Sequence, residues 1–107
     1  MDYTLLQKNS AILNYMGGPS FLRNLLKNTI KEEEISIYGP EDLLFHKSWD
    51  WLMPAWKKAN IELTSTQDNI PMLYAMGKAL DSVDIENLHN LIAKQAIEWC
   101  KNKQIKL

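Results

Sequence analysis

At 107 residues, 46% hydrophobic and 23% charged, the chain has the composition of one globular domain, long enough to bury a core and short enough that self-association would help it. A formal charge of −1 argues against bulk nucleic-acid binding, which draws on an excess of Lys and Arg. No apolar run approaches the roughly 20 residues that span a bilayer, so no membrane partner is expected.

The single cysteine, Cys100, has no internal disulfide partner. With no leader segment before the first helix, the expected compartment is the cytoplasm. Two histidines and the cysteine, at 46, 89 and 100, show no zinc spacing, and neither metal nor cofactor is expected.

In chain order, residues 4–16 read as a helix. Thr4 and Gln7 fit a capping box, and Leu5, Leu6, Ile12, Leu13 and Met16 supply its apolar positions. Gly17-Gly18-Pro19 ends it: glycine takes the left-handed conformation and proline prevents resumption. No strand precedes the glycine pair and no Lys-Ser/Thr follows, so it is no phosphate loop. Ser20 caps a short helix over 21–28, built on Phe21, Leu22, Leu25 and Leu26, with Arg23 and Lys27 on its other face. The run Lys31-Glu32-Glu33-Glu34 reads as a solvated connection.

Three short segments favour strand. They are Ile35-Ser36-Ile37-Tyr38, then, after a turn at Gly39-Pro40-Glu41-Asp42, Leu43 to Phe45, a second strand or simply an extended entry into the tryptophan helix, and Ile61-Glu62-Leu63-Thr64. The expected fold class is therefore α+β, mostly α, a single domain over 1–107 with a small two- or three-stranded sheet in 30–46 and 61–64.

Between the second and third of these segments lies the most unusual stretch. Three of the four tryptophans fall within eight positions, at 49, 51 and 56. A helix over about 48–59, capped by Ser48 and with Asp50 in its first turn, puts Trp49, Leu52, Met53 and Trp56 on a core stripe. Trp51 then points to a second contact surface, and Pro54 bends or loosens the helix. A further helix starts at Asn69, with Pro71 in its first turn and a stripe of Met72, Leu73, Met76, Ala79 and Leu80. Gly77 weakens it by about 1 kcal/mol relative to alanine.

The last helix, 83–103, is the clearest. Ile85, Leu88, His89, Ile92, Ala96, Trp99 and Cys100 share one side. Leu91 and Ile97 lie off that stripe and suggest a second contact, within a bundle or with another copy of the chain.

Residues that could carry function centre on the tryptophan helix: His46, Lys47, Trp49, Asp50, Trp51, Lys57 and Lys58. His46, Ser48 and Asp50 spell a serine triad in letters alone. Such triads assemble from distant segments around an oxyanion hole, so a small hydrolase is the weakest reading, and no catalytic residue is assigned. His89, on an apolar face, reads as a hydrogen-bonded core histidine, and Cys100 as a small buried residue. Two binding readings remain. In one, Trp51, His46 and Asp50 line an interface with a protein. In the other, Trp51 or Tyr38 stacks on a nucleotide base while Lys47, Lys57, Lys58 or Arg23 meets phosphate, so that the protein captures a nucleotide signal.

The run His46-Lys47-Ser48-Trp49-Asp50-Trp51-Leu52-Met53-Pro54, preceded by Ala11-Ile12-Leu13-Asn14-Tyr15-Met16-Gly17-Gly18 and followed by Ile97-Glu98-Trp99, resembles a family of small uncharacterised proteins that look like products of phages and prophages of Bacteroidota. The resemblance covers three blocks, about half of the chain, and the His-x-Ser-Trp-Asp-Trp-Leu-Met-Pro block is its specific part. It implies a mobile-element setting and brings no catalytic residue. In that setting the expected function is a non-enzymatic accessory protein, self-associated and in the host cytoplasm, that binds a host protein such as a defence effector and inhibits it.

Overall fold

The computed structural model describes residues 3–27, 39–65 and 70–106, and every regular element among them is helical. In chain order these are α1 (Leu5–Met16), α2 (Pro19–Leu26), a single 3-10 turn (Pro40–Asp42), α3 (Trp49–Thr64), α4 (Ile70–Asp81) and α5 (Ile85–Asn102).

The expected α+β class is thereby corrected to an all-helical one. Ile61 to Thr64, expected as a strand, forms the last turn of α3. Its β-branched residues lose to tertiary packing: Leu63 extends a buried stripe of Leu52, Ala55 and Ala59 at helical spacing, and that burial outweighs a weak local strand preference. Leu43 and Leu44 are irregular, residues 45–47 form a turn, and among the described residues there is no strand to pair with them. Ile35 to Tyr38 lies outside the described residues.

Helix α1 starts with the capping box read from the sequence. The Gln7 amide donates to Thr4 Oγ1 at 3.2 Å, and the Thr4 amide donates to Gln7 Oε1 at 2.9 Å. It ends at Gly17, whose φ of +118° lets its own N–H reach the Asn14 carbonyl while the Gly18 N–H reaches Leu13. That tight turn feeds directly into α2, which starts at Pro19, two residues before the expected position. Ser48 occupies the N-cap of α3, but its hydroxyl makes no capping bond. Helix α3 runs through Pro54 and five residues beyond its expected end.

Helix α5 is the centre of the packing. It lies most extensively against α1, then against α4, while α3 touches α1, α4 and α5. Small residues permit the α1–α5 approach: Ala11, Ala93 and Ala96 are fully buried, and the Cys100 thiol reaches the Ala11 carbonyl at 3.8 Å. Ile97 is only 6% exposed, so it belongs to the core and is no outward contact. The tryptophans also exchange roles relative to the expectation. Trp51 is buried at 6% exposure, its ring edge-on to Phe45 at 5.3 Å, whereas Trp49 and Trp56 are half-buried at the margin of the core.

Helix α4 ends in a Schellman turn, with the Val83 N–H on the Leu80 carbonyl and the Asp84 N–H on Ala79. Asp84 then caps α5 by accepting from the Asn87 amide at 3.1 Å. The left-handed residue of this turn is Val83, at φ +53° and 70% exposed. A β-branched residue in that conformation is strained and here buries little in return. Replacing it by glycine is expected to stabilise the fold by roughly 0.5–1 kcal/mol and to raise the melting temperature by a few degrees. Thermal denaturation followed by circular dichroism checks this, and an unchanged or lower midpoint contradicts it.

Candidate functional site

One turn into α1, Asn9 occupies a position that would otherwise continue the apolar stripe, and it is 1% exposed. A buried carboxamide costs stability unless its donors and acceptor are used. All are used here. Asn9 Nδ2 donates to the Leu43 carbonyl at 3.4 Å and to His46 Nδ1 at 3.0 Å, and Asn9 Oδ1 accepts from His89 Nε2 at 2.8 Å.

The Leu43 carbonyl can only accept, which fixes the amide orientation and with it both imidazole tautomers: His46 carries its proton on Nε2, as does His89. The two rings lie 6.0 Å apart at 68°. Burial pushes the His89 pKa down to about 4, and the neighbouring His46 and Lys8 add in the same direction. The His46 pKa is also lowered, by burial first and Lys47 second. Both imidazoles are therefore neutral at neutral pH, with the facing nitrogen of each already committed to Asn9. Among the described residues no group of three His, Cys, Asp or Glu side chains could hold a metal.

A second polar cluster closes the C-terminal end of α1. Tyr15 is fully buried and donates its hydroxyl to Glu62 Oε2 at 2.8 Å. Burial, reinforced by the Glu62 carboxylate, raises the Tyr15 pKa far above the usual phenol range. Lys58, one turn before Glu62 on α3, donates to the Tyr15 carbonyl and so satisfies one of the helix's terminal acceptors. The same ammonium sits 4.3 Å from the Tyr15 ring centre and 5.5 Å from that of Trp99. The two rings meet edge to face at 5.7 Å.

The residues singled out in the sequence thus divide. His46 joins the Asn9–His89 cluster, and Lys58 the Tyr15–Glu62 cluster. Lys47, Asp50 and Lys57 are exposed, Trp49 is half-buried, and Trp51 fills the core. They do not form one pocket, and burial of Trp51 removes the ring on which a nucleotide base was expected to stack. Tyr38, the other candidate ring, lies outside the described residues. Asn9 escaped notice, although Leu5, Asn9, Ile12 and Met16 are spaced by four, three and four residues, so a polar residue stood on the apolar stripe.

The histidine cluster makes stability depend on pH. With a folded-state pKa near 4 against about 6.5 in the unfolded chain, His89 binds its proton more readily when unfolded. Its contribution is complete above about pH 6.5 and is lost as pH falls towards 4, to the order of 2 kcal/mol once partial solvent screening is allowed for. Urea denaturation between pH 4 and 7 measures this, and Asn9→Ala, which strands both imidazoles, is expected to cost about 2 kcal/mol at pH 7. A pH-independent midpoint from 4.5 to 6.5 would refute the assignment. No family model, curated protein or solved structure matches the chain.

Proposed function

We propose that the protein is a non-enzymatic accessory protein that acts by binding a host protein, in the phage or prophage setting suggested by the 46–54 block, with host-defence effectors as the partner class. The observation that supports this reading is a set of large apolar side chains left in water around the α3–α4 connection. Ile61 on α3 is 69% exposed, and Ile70 and Tyr74 on α4 are 63% and 70% exposed.

Ile70 and Tyr74 stand one turn apart and so share a face of α4. Neither contributes much to the core, so folding gives no account of their apolar character. Tyrosine is enriched at the energetic centres of protein interfaces, where a flat apolar body and one polar tip are both used. Scattered exposed apolar residues are ordinary, but two on one helix face offer a partner a shared apolar contact. This face takes the role expected of Trp51, which is buried. The same face suits self-association, since a dimer would cover it by an isologous contact.

The double substitution Ile70→Lys with Tyr74→Glu tests the reading. Because both side chains are exposed, stability is expected to stay within about 0.5 kcal/mol, while affinity for the host partner falls about 30-fold or more, as for loss of a central contact. Affinity equal to the wild type sinks the proposal. Native mass spectrometry separates self-association: a wild-type mass at a multiple of 12.4 kDa that collapses to one copy in the variant assigns the face to a second chain instead.

A further inference from the structure

On α5, residues 90, 94, 97 and 101 recur at steps of four, three and four, so they share one face over about 16 Å of helix. Helix α1 runs beside that face, and between them, with Tyr3 as part of its wall, lies an open groove of about 390 Å³. The floor is closed by Ala93 and Ile97, which at 0% and 6% exposure belong to the core and offer a bound chain almost no apolar surface. The walls are cationic. Lys8 of α1 and Lys94 and Lys101 of α5 line the groove, against a single carboxylate, Glu98. On a chain of formal charge −1, this is a local reversal of sign, and a concave surface concentrates it.

The three ammoniums are only lightly engaged. Lys8 Nζ donates to the neutral Asn90 Oδ1 at 3.1 Å. Lys101 lies 3.8 Å from Glu98 Oε1, with both side chains more than half exposed, a pairing of little energetic weight. Its ammonium also lies over the Tyr3 ring at 5.6 Å. Lys94 has no ionic or hydrogen-bonding partner among the described residues.

We infer that this groove receives an acidic segment of extended polypeptide from the protein partner, which rests on the protein-binding reading and names the part of the partner that is recognised. An extended chain rises about 3.3 Å per residue, so 16 Å accommodates about five residues with alternate side chains on opposite sides. Its acids meet the lysines of the walls, and charge rather than apolar contact with the floor carries the recognition. A compact nucleotide fits less well. Small-molecule sites enclose most of their ligand, whereas this groove is open, and Lys101 already occupies one face of Tyr3, the only ring lining it among the described residues.

The test is an NMR titration of the full chain, at low salt, with two blocked pentapeptides, Glu-Leu-Glu-Leu-Glu and Gln-Leu-Gln-Leu-Gln. The acidic peptide is expected to perturb amides in 3–8 and 90–101 saturably, and to bind at least about ten-fold tighter than its neutral counterpart, equivalent to one strong charge contact. Lys94→Glu with Lys101→Glu, both on exposed side chains, is expected to weaken that binding about ten-fold or more with an unchanged melting temperature, while Lys27→Glu leaves it intact. Equal binding of the two peptides, perturbations elsewhere, no binding, or adenosine monophosphate binding the groove more tightly than the acidic peptide each overturns the inference. No host partner takes part, and the Ile70→Lys, Tyr74→Glu variant is expected to keep its peptide affinity. The groove and the α4 face therefore fail separately.

Discussion

The carboxamide of Asn9 is the constraint on which the fold turns. It links residues separated by 34, 37 and 80 positions in the chain, namely Leu43, His46 and His89. Apolar side chains tolerate small shifts of one helix along another, because one methyl group replaces another at modest cost. A buried amide between two imidazoles does not. A slip of α1 against α5 by one turn would leave a donor or acceptor unmet in a low-dielectric interior, at about 1–3 kcal/mol for each orphaned group. The network therefore selects one register from several that hydrophobic burial alone would allow. No buried side-chain nitrogen or oxygen among the described residues is left without a partner.

Around that fixed point the remaining helices are held by different chemistry at each end of α1. Near its start, Asn9 ties it to α5 and to the irregular segment before α3. At its finish, Lys58 and Glu62 reach from α3 to the backbone and hydroxyl of Tyr15. Two polar clusters and the alanine-lined contact with α5 thus position one short helix from three sides. Both clusters are turned inward, with their polar groups spent on one another and on the backbone.

Much of the helical framework was legible in the residues. The capping box at Thr4 and Gln7, the glycine stop at Gly17 and the stripe of α5 each state a local rule that tertiary packing respects. The strands expected at Leu43 to Phe45 and Ile61 to Thr64 were misread because such short apolar pieces have no periodicity of their own. Whether Ile61 to Thr64 continues a helix depends on what Leu63 meets in space. The tryptophans show the same limit. Spacing places Trp49 and Trp56 together, but the core side of α3 is set by Ala55 and Ala59, small residues that carry weak hydrophobic signal and mark where another element comes close. His89 was readable as a core histidine from its apolar face. Its partner was not, since one asparagine 80 positions away looks like any other polar residue until the chain folds.

The pairing of α1 with α5 also bears on how the chain reaches its structure. Helical proteins usually fold fast because their contacts are local in sequence. Here the most extensive contact between described helices joins the first of them to the last, with the Cys100 to Ala11 bond spanning 89 positions. Contacts with α2 and α3, the Tyr15–Glu62 bond among them, cover α1 only in part, so its most extensive face stays open until α5 has been made. The helices can form early, but the core closes only when the final turns arrive.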